Sequence, residues 1–206
     1  MTALAFVHRF EPATAPNRPP LLLLHGTGGD ESDLLPLGRT VAPGAALLSP
    51  RGGVLENGMP RFFRRLAEGV FDEDDVRRRA ADLARFVAQA RAAYGLPAPV
   101  ALGFSNGANI AAALLLLHPG VLAGAALLRP MRPLADPPQP DLTDLPILML
   151  SGALDPIVPE ANARSLAEGF RAAGARVTHT VLPVGHGLSQ ADVTAVRGWL
   201  DPLATR

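Results

Sequence analysis

Ser105 stands between two glycines, in Gly103-Phe104-Ser105-Asn106-Gly107. The spacing G-x-S-x-G suits a nucleophilic serine carried on a sharp turn between a strand and a helix. To lift its hydroxyl above a sheet, such a serine must adopt a strained backbone. The residues two before and two after then press on neighbouring main chain, so both must be nearly free of side chain. A hydroxyl is a poor nucleophile at neutral pH and needs a base within hydrogen-bond reach. A neutral imidazole held in the right tautomer by a carboxylate is the usual base. Attack on an acyl carbon also needs amide donors for the developing oxyanion.

Five histidines compete for the role of base. In the strand-turn-serine architecture the chain order is serine, then acid, then histidine, and His8 and His25 precede Ser105. His118 ends the stretch that follows the serine, ~20 Å away if that stretch is helical. His179 falls inside a predicted strand. His186 lies just beyond that strand, in Pro183-Val184-Gly185-His186-Gly187, where flanking glycines let the loop turn the ring inward. For the acid, Asp155 lies in the loop Ser151-Gly152-Ala153-Leu154-Asp155-Pro156, after another predicted strand. Asp136, Asp141 and Asp144 are rivals in a proline-rich loop after the preceding strand. The oxyanion donors expected are the backbone N–H of Asn106 and that of Thr27, in His25-Gly26-Thr27-Gly28. That glycine-rich loop is not a phosphate cradle. It lacks G-x-x-x-x-G-K-[ST], the chain has no Lys, and the spacing misses G-x-G-x-x-G.

The elements around these residues must hold them in place. Pro99 to Leu102 reads as a strand buried on both faces, and Ala108 to Leu117 as a helix apolar on nearly every side. Further strands are expected at 3–10, 21–24, 45–48, 121–128, 147–150 and 177–182. Helices are expected at 31–41, from Asp72-Glu73-Asp74-Asp75 to Gly95, and at about 160–173 and 189–200. Strands alternate with helices from residue 21 onward, which predicts an α/β chain with a mostly parallel, doubly wound sheet flanked by helices. Candidate residues then fall in loops at the carboxyl ends of strands, where sites gather in such sheets. Residues 51–71 show no clear period. As a segment beyond a strand's carboxyl end they could wall the site, with Met59, Phe62 and Phe63 along an acyl pocket and Arg61, Arg64 or Arg65 facing an anionic group. A short helix with core Phe and solvated Arg fits them equally well.

Composition limits the alternatives. A chain of 206 residues, 48% hydrophobic, suits one domain over 1–206 with a sizeable core. Lys+Arg and Asp+Glu both number 19, so nothing favours nucleic acid as a partner. All the basic residues are Arg, which removes lysine Schiff-base chemistry. The absence of Cys removes a thiol nucleophile and zinc-thiolate sites. No basic segment followed by a long apolar core opens the chain, and Leu21–Leu24 is too short to span a bilayer. A soluble cytoplasmic protein that needs no cofactor or metal and takes a small-molecule substrate is the expectation, as a monomer or homodimer.

Taken together, Leu24-His25-Gly26-Thr27-Gly28-Gly29, the pentapeptide at Ser105, Gly152 to Pro159 and Gly185-His186-Gly187 resemble the small bacterial phospholipase/carboxylesterase family of α/β-hydrolases. Arg51-Gly52 and Glu56-Asn57-Gly58-Met59-Pro60-Arg61-Phe62-Phe63-Arg64-Arg65 resemble the branch linked to quinone and catechol stress. The resemblance spans residues 20–200 and implies a compact α/β-hydrolase fold without a large cap domain. It also implies cleavage of short acyl esters by Ser105, His186 and Asp155, with acyl-thioesterases and lysophospholipases among relatives. Many family carboxylesterases carry Gln where Asn106 stands. The gap from Arg129 to Leu145, where lipases usually carry a helical lid, holds five Pro in seventeen residues and is too short and stiff for one.

Overall fold

The computed structural model of the chain describes residues 4–67 and 69–203. Four leucines make β2 (Leu21–Leu24), and all four side chains are buried. β3 (Leu47–Pro50) and β8 (Val100–Phe104) pair with it in parallel on either side. β9 (Gly124–Leu128), β10 (Pro146–Gly152) and β11 (Arg176–Leu182) extend the sheet beyond β8, again in parallel. β1 (His8–Glu11) closes the far edge antiparallel to β3. The expected first strand at 3–10 is thus displaced towards residue 11, and its Ala3 lies outside the described residues. The order is β1-β3-β2-β8-β9-β10-β11. The chain reverses its direction of growth between β2 and β8, the switch point at which loops of such a sheet part to leave a crevice.

Period-two alternation divides the strand side chains between two cores. Leu22, Leu24, Ala101, Leu127 and Met149 point to one face, with α2 (Glu73–Tyr94), α3 (Asn106–Leu117) and α4 (Glu160–Ala172). Leu21, Leu23, Leu102, Leu128 and Leu150 point to the other, beneath α1 (Leu35–Val41) and α5 (Gln190–Leu200). Each fully buried leucine contributes ~1.5–3 kcal/mol relative to exposure. A 3-10 turn (Asp201–Leu203) follows α5. Among the described residues, no helix is long and apolar enough to cross a membrane.

The start of α2 shows local chemistry deciding a boundary. The Asp72 side chain accepts the Asp75 N–H as N-cap, and Gly95 ends the helix at φ 67°. The expected helix at 31–41 is shorter, since residues 31–34 form turns before Pro36 enters the first helical turn. The aperiodic 51–71 segment is two small hairpins: β4 (Val54–Glu56) with β5 (Met59–Arg61), and β6 (Arg65–Ala67) with β7 (Val70–Phe71). Asn57 and Gly58 supply the positive φ values of the first turn. Each strand there is too short to show its period. From Arg129 to the start of β10 the chain runs as irregular loop, so no helical lid lies between β9 and β10.

Candidate active site

Ser105 leaves β8 at φ 52° and ψ −114°, a backbone that costs a non-glycine residue ~1–3 kcal/mol. Its N–H donates to the Leu128 carbonyl at 2.8 Å, fixing the turn to β9. Both glycines of the pentapeptide are required sterically. A Cβ on Gly103 would lie 2.6 Å from the Gly107 carbonyl oxygen, and one on Gly107 would overlap the Leu24 carbonyl. The close approach of α3 to β2 and β8 is what lifts the serine above the sheet.

His186 reaches that serine from the loop after β11. Its Nε2 is 2.9 Å from Ser105 Oγ, and its Nδ1 is 2.8 Å from Asp155 Oδ2. With Nδ1–H donating to the carboxylate, Nε2 is left to accept the serine hydroxyl. The Asp155 side chain is fully buried, and its Oδ1 accepts the Ile157 and Val158 amides at 2.8 and 3.1 Å. Burial by itself pushes the Asp155 carboxyl up. The Ile157 amide, the His186 ring and the Val158 amide outweigh burial and hold it below the usual carboxylate range. Asp136, Asp141 and Asp144 are all exposed. The other histidines are engaged elsewhere: His8 with Tyr94, His179 with Ser151, and His25 with the Gly26 carbonyl and the Gly52 amide, while His118 caps the far end of α3.

Thr27 and Asn106 line the same cavity as Ser105 and His186, a hollow of about 270 Å³. Among the described residues, neither of their backbone amides has a protein acceptor. The first hairpin braces the Thr27 loop. The Gly28 N–H donates to the Pro60 carbonyl at 3.0 Å, and Arg61 Nη1 donates to the Thr27 hydroxyl at 2.9 Å. Asn106 serves as a strut as well, because its Oδ1 accepts the Phe62 N–H at 2.8 Å. A larger hollow of about 490 Å³ beside Phe6 and Phe86 is lined by no serine, threonine or histidine.

The wall expected from Met59, Phe62, Phe63 and Arg61 is partly corrected. Of these four, Arg61 alone lines the cavity. Phe62 and Phe63 are buried core residues, packed with α2 and α3, because the hairpin turns their rings inward. Met59 is partly exposed and lies near Gly28 rather than in the lining. Arg65 and Phe71 from the second hairpin take up the wall instead, with Met131 beyond them. Arg64 points away and pairs with Asp72.

Arg129 is a site residue that the sequence reading missed. It follows β9 at φ 56° and is completely buried. Two of its nitrogens meet Asp192 at 2.8 and 2.9 Å. Its Nε donates to the Gly185 carbonyl at 3.0 Å and Nη2 to the Gly187 carbonyl at 3.2 Å, so one guanidinium grips the loop on both sides of His186. Asp192 in turn accepts from Ser189 in the capping box that starts α5. An arginine ending an apolar strand, Leu127-Leu128-Arg129, was the only signal available. Among the described residues, no three His, Asp or Glu gather as a metal site would require.

Comparison with known proteins agrees with this architecture. A family model described as alpha/beta hydrolase fold matches residues 19–147, and one described as TAP-like protein matches residues 127–201. The chain is 44% identical to MhqD of Bacillus subtilis (strain 168), over 93% of this chain and 96% of that one. It superposes on a carboxylesterase of Bacillus cereus with a TM-score of 0.94 at 43% identity, covering 97% and 95% of the two chains. A carboxylesterase of Mesorhizobium loti gives a TM-score of 0.92 at 37% identity, covering 97% and 96%. The chain is therefore a small hydrolase belonging to the α/β-hydrolase fold family.

Proposed function

We propose that the protein is a serine carboxylesterase acting on short-chain carboxylic esters. The observation that carries this reading is the unbroken relay of 2.9 and 2.8 Å from Ser105 through His186 to Asp155, opening into a small cavity. Ser105 Oγ attacks the acyl carbon while His186 Nε2 takes its proton. Asp155 keeps the imidazole in the Nδ1–H tautomer and stabilises the imidazolium. The Thr27 and Asn106 amides receive the oxyanion, each such donor supplying ~3–4 kcal/mol of barrier lowering. His186 returns the proton to the leaving alkoxide, and the alcohol departs. Water then repeats the sequence on the acyl-enzyme, releasing the acid and restoring the serine. The two carboxylesterases of similar fold support the ester as substrate. The hollow of about 270 Å³ suits a short acyl group better than the long chain of a lysophospholipid.

The test is hydrolysis of p-nitrophenyl butyrate by wild type and Ser105→Ala. Wild type is expected to turn the ester over, and the variant to retain only background. Retention of wild-type turnover by Ser105→Ala would remove the assignment.

A further inference from the structure

Charge on the cavity wall does not balance. Arg61 and Arg65 both line the hollow that holds Ser105. They share a single carboxylate: Arg61 Nε stands 3.1 Å from Glu56 Oε2, and Arg65 Nε donates to Glu56 Oε1 at 2.9 Å. The Arg61 contact is an ion pair without hydrogen-bond geometry, and Glu56 Oε2 is buried with no donor. The other acceptors of Arg61 are neutral, namely the Phe63 carbonyl and the Thr27 hydroxyl. Arg61 is only 3% exposed. Two guanidinium groups against one carboxylate leave one formal positive charge in excess on the wall of the hollow that holds Ser105, with Arg61 buried and the Arg65 side chain 30% exposed. A buried charge without full compensation is unfavourable, and an anion brought into the hollow relieves it. Burial accordingly lowers the Arg61 pKa most strongly, with Glu56 opposing and Arg65 adding to the effect.

We propose that this wall receives a free carboxylate on the acyl half of the substrate, making hemiesters of short dicarboxylic acids the preferred substrates. The proposal rests on the serine esterase reading above and names its substrate class. Position argues for the acyl half. Arg61 is tied to Thr27, on the oxyanion side of Ser105, whereas the leaving oxygen must face His186. The size of the excess argues for a carboxylate, since one surplus charge matches a monoanion and not a dianionic phosphate. A guanidinium fork also fits a planar carboxylate. The same hollow is lined by the apolar side chains of Phe71, Phe104, Met131 and Ile157, which suits a few methylenes. The reaction balances as simple hydrolysis: one water is consumed, its OH joining the acyl carbon and its H the departing alcohol.

The experiment compares kcat/KM for p-nitrophenyl hemiglutarate with that for p-nitrophenyl valerate, which has the same number of acyl carbons and no charge. At low ionic strength wild type is expected to favour the hemiester by about tenfold or more, the size of one charge-assisted hydrogen bond. Arg65→Met cancels the excess and should lower that ratio, whereas Glu56→Gln adds a second unpaired charge and should raise it. A purely structural role for these side chains gives no such opposite signs. Arg61→Met should also lower the ratio, and Arg65→Met keeps the test open if loss of the Thr27 brace unfolds that variant. A wild-type ratio of one or less, with Ser105-dependent turnover of the valerate, overturns the anion site and leaves the esterase reading standing. Equal ratios in wild type, Arg65→Met and Glu56→Gln also overturn it. Failure of wild type to hydrolyse either ester removes both.

Discussion

Arg129→Met should separate the stability of the fold from the placement of its base. The substitution leaves the Asp192 carboxylate buried, with Ser189 as its remaining side-chain partner. It also releases the Gly185 and Gly187 carbonyls on either side of His186. Breaking a buried ion pair from one side costs about 3–5 kcal/mol. For a chain of this size each kcal/mol lowers Tm by ~2–4 °C, so a fall of ~6–20 °C is expected. That is a large share of a total stability of ~5–15 kcal/mol, yet the variant should stay folded in the cold. The kinetic effect has a different source. A base displaced by ~1 Å can lose ~100-fold in rate, so kcat should fall by ~10–100-fold. KM should change little, because Arg129 is not part of the cavity lining. In Arg129→Met/Asp192→Asn the orphaned charge is gone, and an acceptor for Ser189 remains. The double variant should recover much of the Tm loss but none of kcat. Thermal melts, with steady-state rates on p-nitrophenyl butyrate in the cold, read both quantities. Recovery of kcat along with Tm, or full kcat in the single variant, would show that Arg129 does not hold His186 in place.

Three further outcomes are expected. Asp155→Asn should keep the fold, since an amide oxygen can still accept the Ile157 and Val158 N–H groups. It should nonetheless cut kcat by ~10⁴-fold through the wrong imidazole tautomer, and a loss under ~100-fold on p-nitrophenyl butyrate would argue against that role. Gly107→Ala should give unstable, inactive protein, because the added Cβ meets the Leu24 and His25 carbonyls, which are backbone and cannot swing away; a wild-type melt and rate would contradict the steric argument. The third concerns pH. Burial holds His25 below its ordinary pKa, with Nδ1–H donating to the Gly26 carbonyl and Nε2 accepting the Gly52 N–H. The unfolded chain therefore binds the proton more readily. The contribution is complete above the unfolded value of ~6.5 and is lost as pH falls through the folded one. Between about pH 7.5 and about pH 5, Tm should fall more for wild type than for His25→Gln, and equal falls would exclude His25 as the source.

Legibility in the sequence followed the range of the forces involved. Gly103 and Gly107 were readable because their need is steric and lies within five residues of one turn. The flanks of Ser105 were readable because β8 and α3 are apolar on all sides, a pattern visible without knowing their neighbours. The hairpins of residues 51–71 were not, since strands of two or three residues are too short to display a period. Phe62 and Phe63 look the same as letters whether they line a pocket or a core, and the hairpin's orientation alone turned them into the core. Arg129 was missed because its partners are some sixty residues away, so nothing local marks it as the residue that grips the His186 loop.

The sequence by itself therefore marked Ser105 as the candidate nucleophile, with its turn, the alternation of strand and helix, and a short list of candidate bases and acids. Those follow from backbone sterics and apolar patterning, which act between near neighbours in the chain. Tertiary structure decided that Asp155 and not Asp136, Asp141 or Asp144 meets His186, because parallel register brings the carboxyl ends of β8, β10 and β11 to one edge. It also decided that Arg61 and Arg65 share one carboxylate beside Ser105. Charges in a sequence can be counted, but only the folded chain shows which of them must share a partner and which of them is buried.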